Sequence, residues 1–216
     1  MKTVMHKSCV ETELICSEDG KNTYEVIKRL KGVDGDTGII VMLFPTKNGN
    51  NICAADNTTN FLLSHMKDLG LNEIRIINLF SKVSNSRISS RGLQVDTQNM
   101  DFIENEVFAN KDLSKQKFIV AWGNSMESSK AVNESKRLII DMYLKKLPKG
   151  KITQIVCPER GLVDGANHIL FLGIRAKTAK WRLMEYNTDN ILADNKPKDE
   201  FFKNSPTSTV STVKVK

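Results

Sequence analysis

The sequence predicts one α/β domain of three layers, with helices on both faces of a short, mainly parallel central sheet. Apolar runs of strand length recur along the chain, and amphipathic helical stretches separate them. Such strand–helix alternation folds through right-handed crossovers, so consecutive strands come to lie parallel. Polar loops follow the strand ends, where the ligand crevice of an open parallel sheet opens. With 216 residues, one core suffices. Residues 1–186 are assigned to the domain, with 1–36 as an N-terminal extension packed on it, and 187–216 to a disordered tail.

After a turn at residues 34–38 (DGDTG), the apolar run 39–44 (IIVMLF) predicts a strand buried on both faces. An Asn-rich loop leads to Asp56, whose carboxylate suits the N-cap of a helix over 57–69 that Gly70 stops. Residues 73–79 (EIRIINL) predict a second strand. The Ser- and Arg-rich stretch 81–98 has no apolar period and reads as a functional loop. A short helix over 101–109 precedes a third strand at 117–122 (KFIVAW) and a long amphipathic helix over 128–147, ended by Pro148 and Gly150. Residues 152–157 (ITQIVC) form the fourth strand, and the segment 168–174 precedes a basic helix over 176–186. Beyond 187 the chain turns polar and repetitive, with too little apolar area to offset the entropy of ordering.

Composition narrows the function. Hydrophobic residues make up 40% and charged residues 26%, the balance of a soluble protein, and no run is long and apolar enough to cross a bilayer. The first twenty residues mix charges into what a secretory signal would keep apolar, so a cytoplasmic location is expected. Cys9, Cys16, Cys53 and Cys157 are widely spaced, which fits reduced thiols rather than a zinc site. The chain is expected to be a monomer with no metal or other cofactor. An excess of 32 Lys and Arg over 25 Asp and Glu gives a formal charge of +7, which favours a polyanionic partner. Phosphate-loop, dinucleotide-binding, H-E-x-x-H and G-x-S-x-G motifs are all missing from the sequence.

Four strand ends supply the candidate site residues. Asn78 is too polar for a buried strand unless its amide is paired, either with its own loop or with the edge of a base. Phe44 and Pro45 either belong to the core or offer a stacking face. Trp122 reads as core or as a pocket wall, while Asn124 and Ser125 suit a helix cap or an anion contact. Asp56 is an N-cap or a water-activating carboxylate, and His168 a structural or a titrating imidazole. Lys47, Arg87, Arg91, Arg160 and Arg175 are candidate phosphate contacts.

At these strand ends the chain resembles a family of bacterial proteins known only as a domain of unknown function. The resemblance runs through Leu43-Phe44-Pro45-Thr46-Lys47, Asp56-Asn57-Thr58, Ile77-Asn78-Leu79-Phe80, Val120-Ala121-Trp122-Gly123 and Asn167-His168-Ile169-Leu170, in that order. More widely, it is similar to the uracil-DNA glycosylase superfamily. That resemblance implies that Asn78 holds the base and that His168 stabilises charge on the departing base. Phe44 stands where that family has its water-activating Asn or Asp, so Asp56 or Asn48 would orient the water instead; Ile169 replaces an expected proline. The implied activity is hydrolysis of the N-glycosidic bond of a flipped pyrimidine in DNA, including a modified one such as occurs in phage DNA, with a role in antiviral defence. The competing expectations are a non-catalytic nucleotide or DNA binder and a nucleoside or nucleotide hydrolase.

Overall fold

A computed structural model describes residues 3–5, 7–47, 52, 54, 56–84, 88–109 and 112–192. Its seven-stranded sheet comprises β1 (Cys9–Cys16), β2 (Thr23–Lys31), β3 (Asp36–Met42), β4 (Leu71–Asn78), β5 (Gln116–Val120), β6 (Ile152–Val156) and β7 (Arg182–Glu185). The order across the sheet is β1-β2-β4-β3-β5-β6-β7. Strands β4, β3, β5 and β6 run parallel, whereas β1, β2 and β7 each join antiparallel.

Side chains alternate across a strand, so each apolar run feeds two cores at once. Ile39, Val41, Ile77, Phe118 and Val120 point to one face. There they meet α2 (Thr97–Phe102), its π-helical continuation Ile103–Val107, and α3 (Lys130–Lys146). Ile40, Met42, Ile74, Ile76 and Ile119 point to the other, covered by α1 (Asn57–His65) and α4 (Ile169–Arg175). Helices α1 and α4 touch along their length, and a Cβ on Gly173 would overlap the Phe61 ring. At Gly173, α4 therefore approaches α1 closer than a larger residue would permit.

The three-layer α/β arrangement agrees with the sequence, but the sheet is neither short nor mainly parallel. The N-terminal extension expected over residues 1–36 contributes β1 and β2 to the sheet itself. Strand β1 (CVETELIC) is an edge strand with no fully buried residue and no regular apolar alternation, and Arg29 on β2 reaches Glu73 of β4 at 2.6 Å. The expected basic helix over 176–186 is also corrected. Residues 176–180 turn, and β7 then closes the open edge of β6 through the register Thr153↔Glu185 to Val156↔Arg182. Of the tail expected to be disordered, residues 187–192 carry the short helix α5 (Asp189–Leu192), with Ile191 and Leu192 packed against the core; the remainder lies outside the described residues.

One ion pair lies inside the sheet. Arg75 on β4 and Glu25 on β2 are each about 2% exposed, with Nη2 2.6 Å from Oε1. The Arg75 Nε and Nη1 have no partner. Among the described residues no helix is long and apolar enough to cross a membrane, and no three His, Cys, Asp or Glu side chains gather to hold a metal. Cys9, Cys16 and Cys157 are free thiols; Cys53 lies outside the described residues.

Candidate functional site

The chain reverses direction across the sheet at β3. Strand β3 leads through α1 to β4 on one side, and β4 leads through α2 to β5 on the other. In open α/β sheets ligands bind beside such a switch point, which here lies at the carboxyl ends of β3 and β5, where crossovers of opposite sense part.

Asn78 closes β4 opposite Met42 and shares a strand parity with Ile74 and Ile76, which places it on the α1/α4 face. It is 1% exposed, and its Oδ1 has no partner. Its backbone carbonyl accepts a 2.8 Å bond from Asn99 Nδ2, which fixes the strand end from the opposite face. A buried amide oxygen without a donor costs roughly 1–3 kcal/mol, so Asn78 stands at the strand end as an uncompensated polar group.

The N-termini of α1 and α4 both open on the same edge and face, because each helix follows a parallel strand and runs back across it. Their caps are Asp56 and His168. Asp56 Oδ1 accepts from Thr59 N at 2.8 Å, the cap expected from sequence. Its Oδ2 has no hydrogen-bond partner and stands 3.5 Å from Lys47 Nζ. His168 Nδ1 accepts from Leu170 N at 3.2 Å, which leaves Nε2 as the protonated nitrogen of the neutral ring. Burial pushes the imidazole below its ordinary range, so the ring is a neutral donor near pH 7.

That depression fixes a sign. Above the ordinary value of 6.5 both folded and unfolded chains carry a neutral His168, which then leaves stability unchanged. Below it the unfolded chain binds a proton that the folded chain resists, so stability falls with pH until the folded value is passed. Wild type should therefore lose stability relative to His168→Gln as pH drops from 7.5 to 5, by at most about 1.4 kcal/mol per pH unit. Urea midpoints of both proteins at the two pH values measure it; parallel curves would show that His168 is not desolvated.

His168 lines a cavity of about 340 Å³ with Gly123, Asn124, Ser125, Gly165, Asn167 and Phe171. Gly123 is obligatory there, since its φ is +68° and a Cβ would stand 2.9 Å from that of His168. The loop before α4 is held by Ala166 N donating to Gln154 Oε1 at 3.0 Å and by Gly123 N donating to the Ala166 carbonyl at 2.8 Å. Asn167, beside His168, figured in the sequence only as part of the Asn167-His168-Ile169-Leu170 segment and was given no role of its own. Its Nδ2 is buried without a partner. The exposed aromatic Phe171 was missed too, because at helical spacing it reads as core.

Other candidates lie elsewhere. Phe44 stacks on Phe80 with centroids 5.1 Å apart and lines a separate cavity of about 430 Å³ together with Arg91. Pro45 is buried beside it. Trp122 is 2% exposed and belongs to the α2/α3 core, on the face away from Asn78, so it does not share a pocket wall with Asn78 as expected. Lys47 is 7% exposed and donates to the Ala54 carbonyl, so it is not the open phosphate contact expected. Asn124 and Ser125 are exposed at the His168 cavity; the cap of α3 is instead Ser129, whose Oγ accepts from Val132 N at 3.4 Å. Arg160 and Arg175 are exposed, the latter 5.9 Å from the Phe171 ring. Asn48 and Arg87 lie outside the described residues. A cavity of about 600 Å³ at the opposite edge, beside Lys117, Tyr143 and Arg182, touches none of the strand-end residues.

Residues 26–156 match a family model described as a protein of unknown function (DUF1643). No curated protein and no solved structure matches the chain.

Proposed function

Since the chain belongs to the DUF1643 family of proteins of unknown function, whose model spans 131 of its 216 residues, we propose its activity from the strand-end geometry: hydrolysis of the N-glycosidic bond of a flipped pyrimidine in DNA. The observation that carries this reading is the unpartnered Oδ1 of buried Asn78, on the edge and face where α1 and α4 begin. An amide there pairs with the edge of a pyrimidine, accepting from its ring or exocyclic N–H. Asp56 Oδ2 orients a water toward the sugar, with Lys47 Nζ 3.5 Å away. The Nε2 proton of neutral His168 stabilises the anionic base as the glycosidic bond breaks. The absence of the resembling family's usual residue at Phe44 points to a target other than plain uracil, such as a modified pyrimidine of phage DNA, and hence to antiviral defence.

Duplex and single-stranded oligonucleotides carrying uracil, hydroxymethylcytosine or glucosylated hydroxymethylcytosine test this. Incubation followed by hot alkali should cut one of them at the target base, and Asn78→Ala should lower the rate by two or more orders of magnitude, about 3 kcal/mol of lost transition-state binding. Intact strands on every substrate would refute the catalytic reading. One observation favours a non-catalytic binder in its place: Asp56 already spends one oxygen on the α1 cap and holds the other near Lys47. In that case Asn78→Ala weakens DNA binding although nothing turns over.

A further inference from the structure

The α2/α3 face of the carboxyl edge holds a lysine that the proposed chemistry does not use. Lys136, in the second turn of α3, is 7% exposed. Its amine makes neither a hydrogen bond nor an ion pair among the described residues, and lies 5.5 Å from the centre of the Trp122 ring. It lines a cavity of about 500 Å³ together with Glu127, Lys130 and Tyr186. Beyond the Trp122 face and the nearby Glu127 charge, little compensates the ammonium, and lysines are seldom buried so, because desolvating the charge is costly.

We propose that the Lys136 amine is a covalent capture site for small carbonyl compounds, aldehydes or oxo acids, which enter this cavity and condense with it to an imine. The nitrogen lone pair attacks the carbonyl carbon, a C–N bond forms as the C=O π bond breaks, and a proton passes from nitrogen to oxygen. Loss of one water from the carbinolamine then gives the C=N bond, and addition of water reverses the sequence without any oxidant or reductant. Burial lowers the affinity of Lys136 for its proton, so more free amine is present at neutral pH than on an exposed lysine. Burial also keeps the Tyr186 hydroxyl protonated, as a donor to the departing water, and the Glu127 carboxylate faces the same space as an acceptor. Of the other charges around the cavity, Arg137 is held by Glu134 and Asp141, which leaves Lys130 to receive the carboxylate of an oxo acid.

The full chain is incubated at pH 7 with glycolaldehyde or with pyruvate in the presence of cyanoborohydride, which fixes any imine as a secondary amine, and adducts are located by peptide mass mapping. Lys136 should be modified faster than exposed Lys149, by roughly tenfold for each unit by which its acidity exceeds that of a surface lysine, with the advantage shrinking as pH rises. Lys136→Arg should abolish the fast adduct while circular dichroism stays unchanged. A preference for pyruvate would assign oxo acids, and one for glycolaldehyde would assign aldehydes. Modification of Lys136 no faster than Lys149, or only after unfolding in urea, would overturn the proposal.

Discussion

Arg75→Met is expected to lower the unfolding free energy by about 3–5 kcal/mol, because it strands the Glu25 carboxylate inside the sheet. Both side chains are about 2% exposed, and the guanidinium is the only cation beside Glu25 in the ion pairs of the described residues. The pair itself is imperfectly satisfied, since Arg75 Nε and Nη1 find no acceptor. Desolvation therefore offsets much of its attraction. The double variant Arg75→Met/Glu25→Leu should accordingly regain most of the loss and match or exceed wild type. Urea unfolding of the single and double variants gives the coupling directly. A single-variant loss below about 1 kcal/mol would mean that water reaches Glu25, contrary to its burial.

Trp181→Ala should cost a similar amount, about 3–5 kcal/mol, by opening a void where α1, α4 and the approach to β7 meet. Trp181 is fully buried. Its indole N–H donates to the Ala176 carbonyl at 3.1 Å, and its ring lies flat on His65, with centroids 4.0 Å apart and planes 7° from parallel. His65 Nε2 is in turn 3.1 Å from the Lys177 carbonyl, so one residue ties the end of α1 to the chain leaving α4. Trp181→Phe keeps most of the apolar area and the stacking face but drops the N–H bond, and should cost only about 1–2 kcal/mol. Equal losses for the two variants would show that the hydrogen bond, rather than the packing, holds this corner.

The parts of the fold that could be read from the sequence were those buried on both sides. Strands β3, β4, β5 and β6 announce themselves as apolar runs because helices cover both of their faces. Strand β1 is an edge strand with no fully buried residue, and β7 spans four residues, so neither carries a long enough period to separate it from a loop or a helix. The Lys- and Ala-containing stretch before β7 fits helical spacing, and only the demand of the β6 edge for a partner decides otherwise. At the site, Asn78 was legible because an amide ending a run of isoleucines conflicts with its surroundings, and the Asp56 cap followed from local chemistry alone. The burial of Lys47 was not legible: it depends on Thr23, 24 residues earlier, whose hydroxyl donates to the Lys47 carbonyl at 2.6 Å. Trp122 was ambiguous for the same reason. Strand parity decides its face, and parity needs a register that only the assembled sheet supplies.

With β1 on one flank and β7 on the other, the polypeptide enters and leaves at opposite margins of the sheet. Six inter-strand spacings separate them, roughly 29 Å at about 4.8 Å each. A circular permutant joining residue 9 to residue 185 would need a linker of about nine extended residues even along the straightest route.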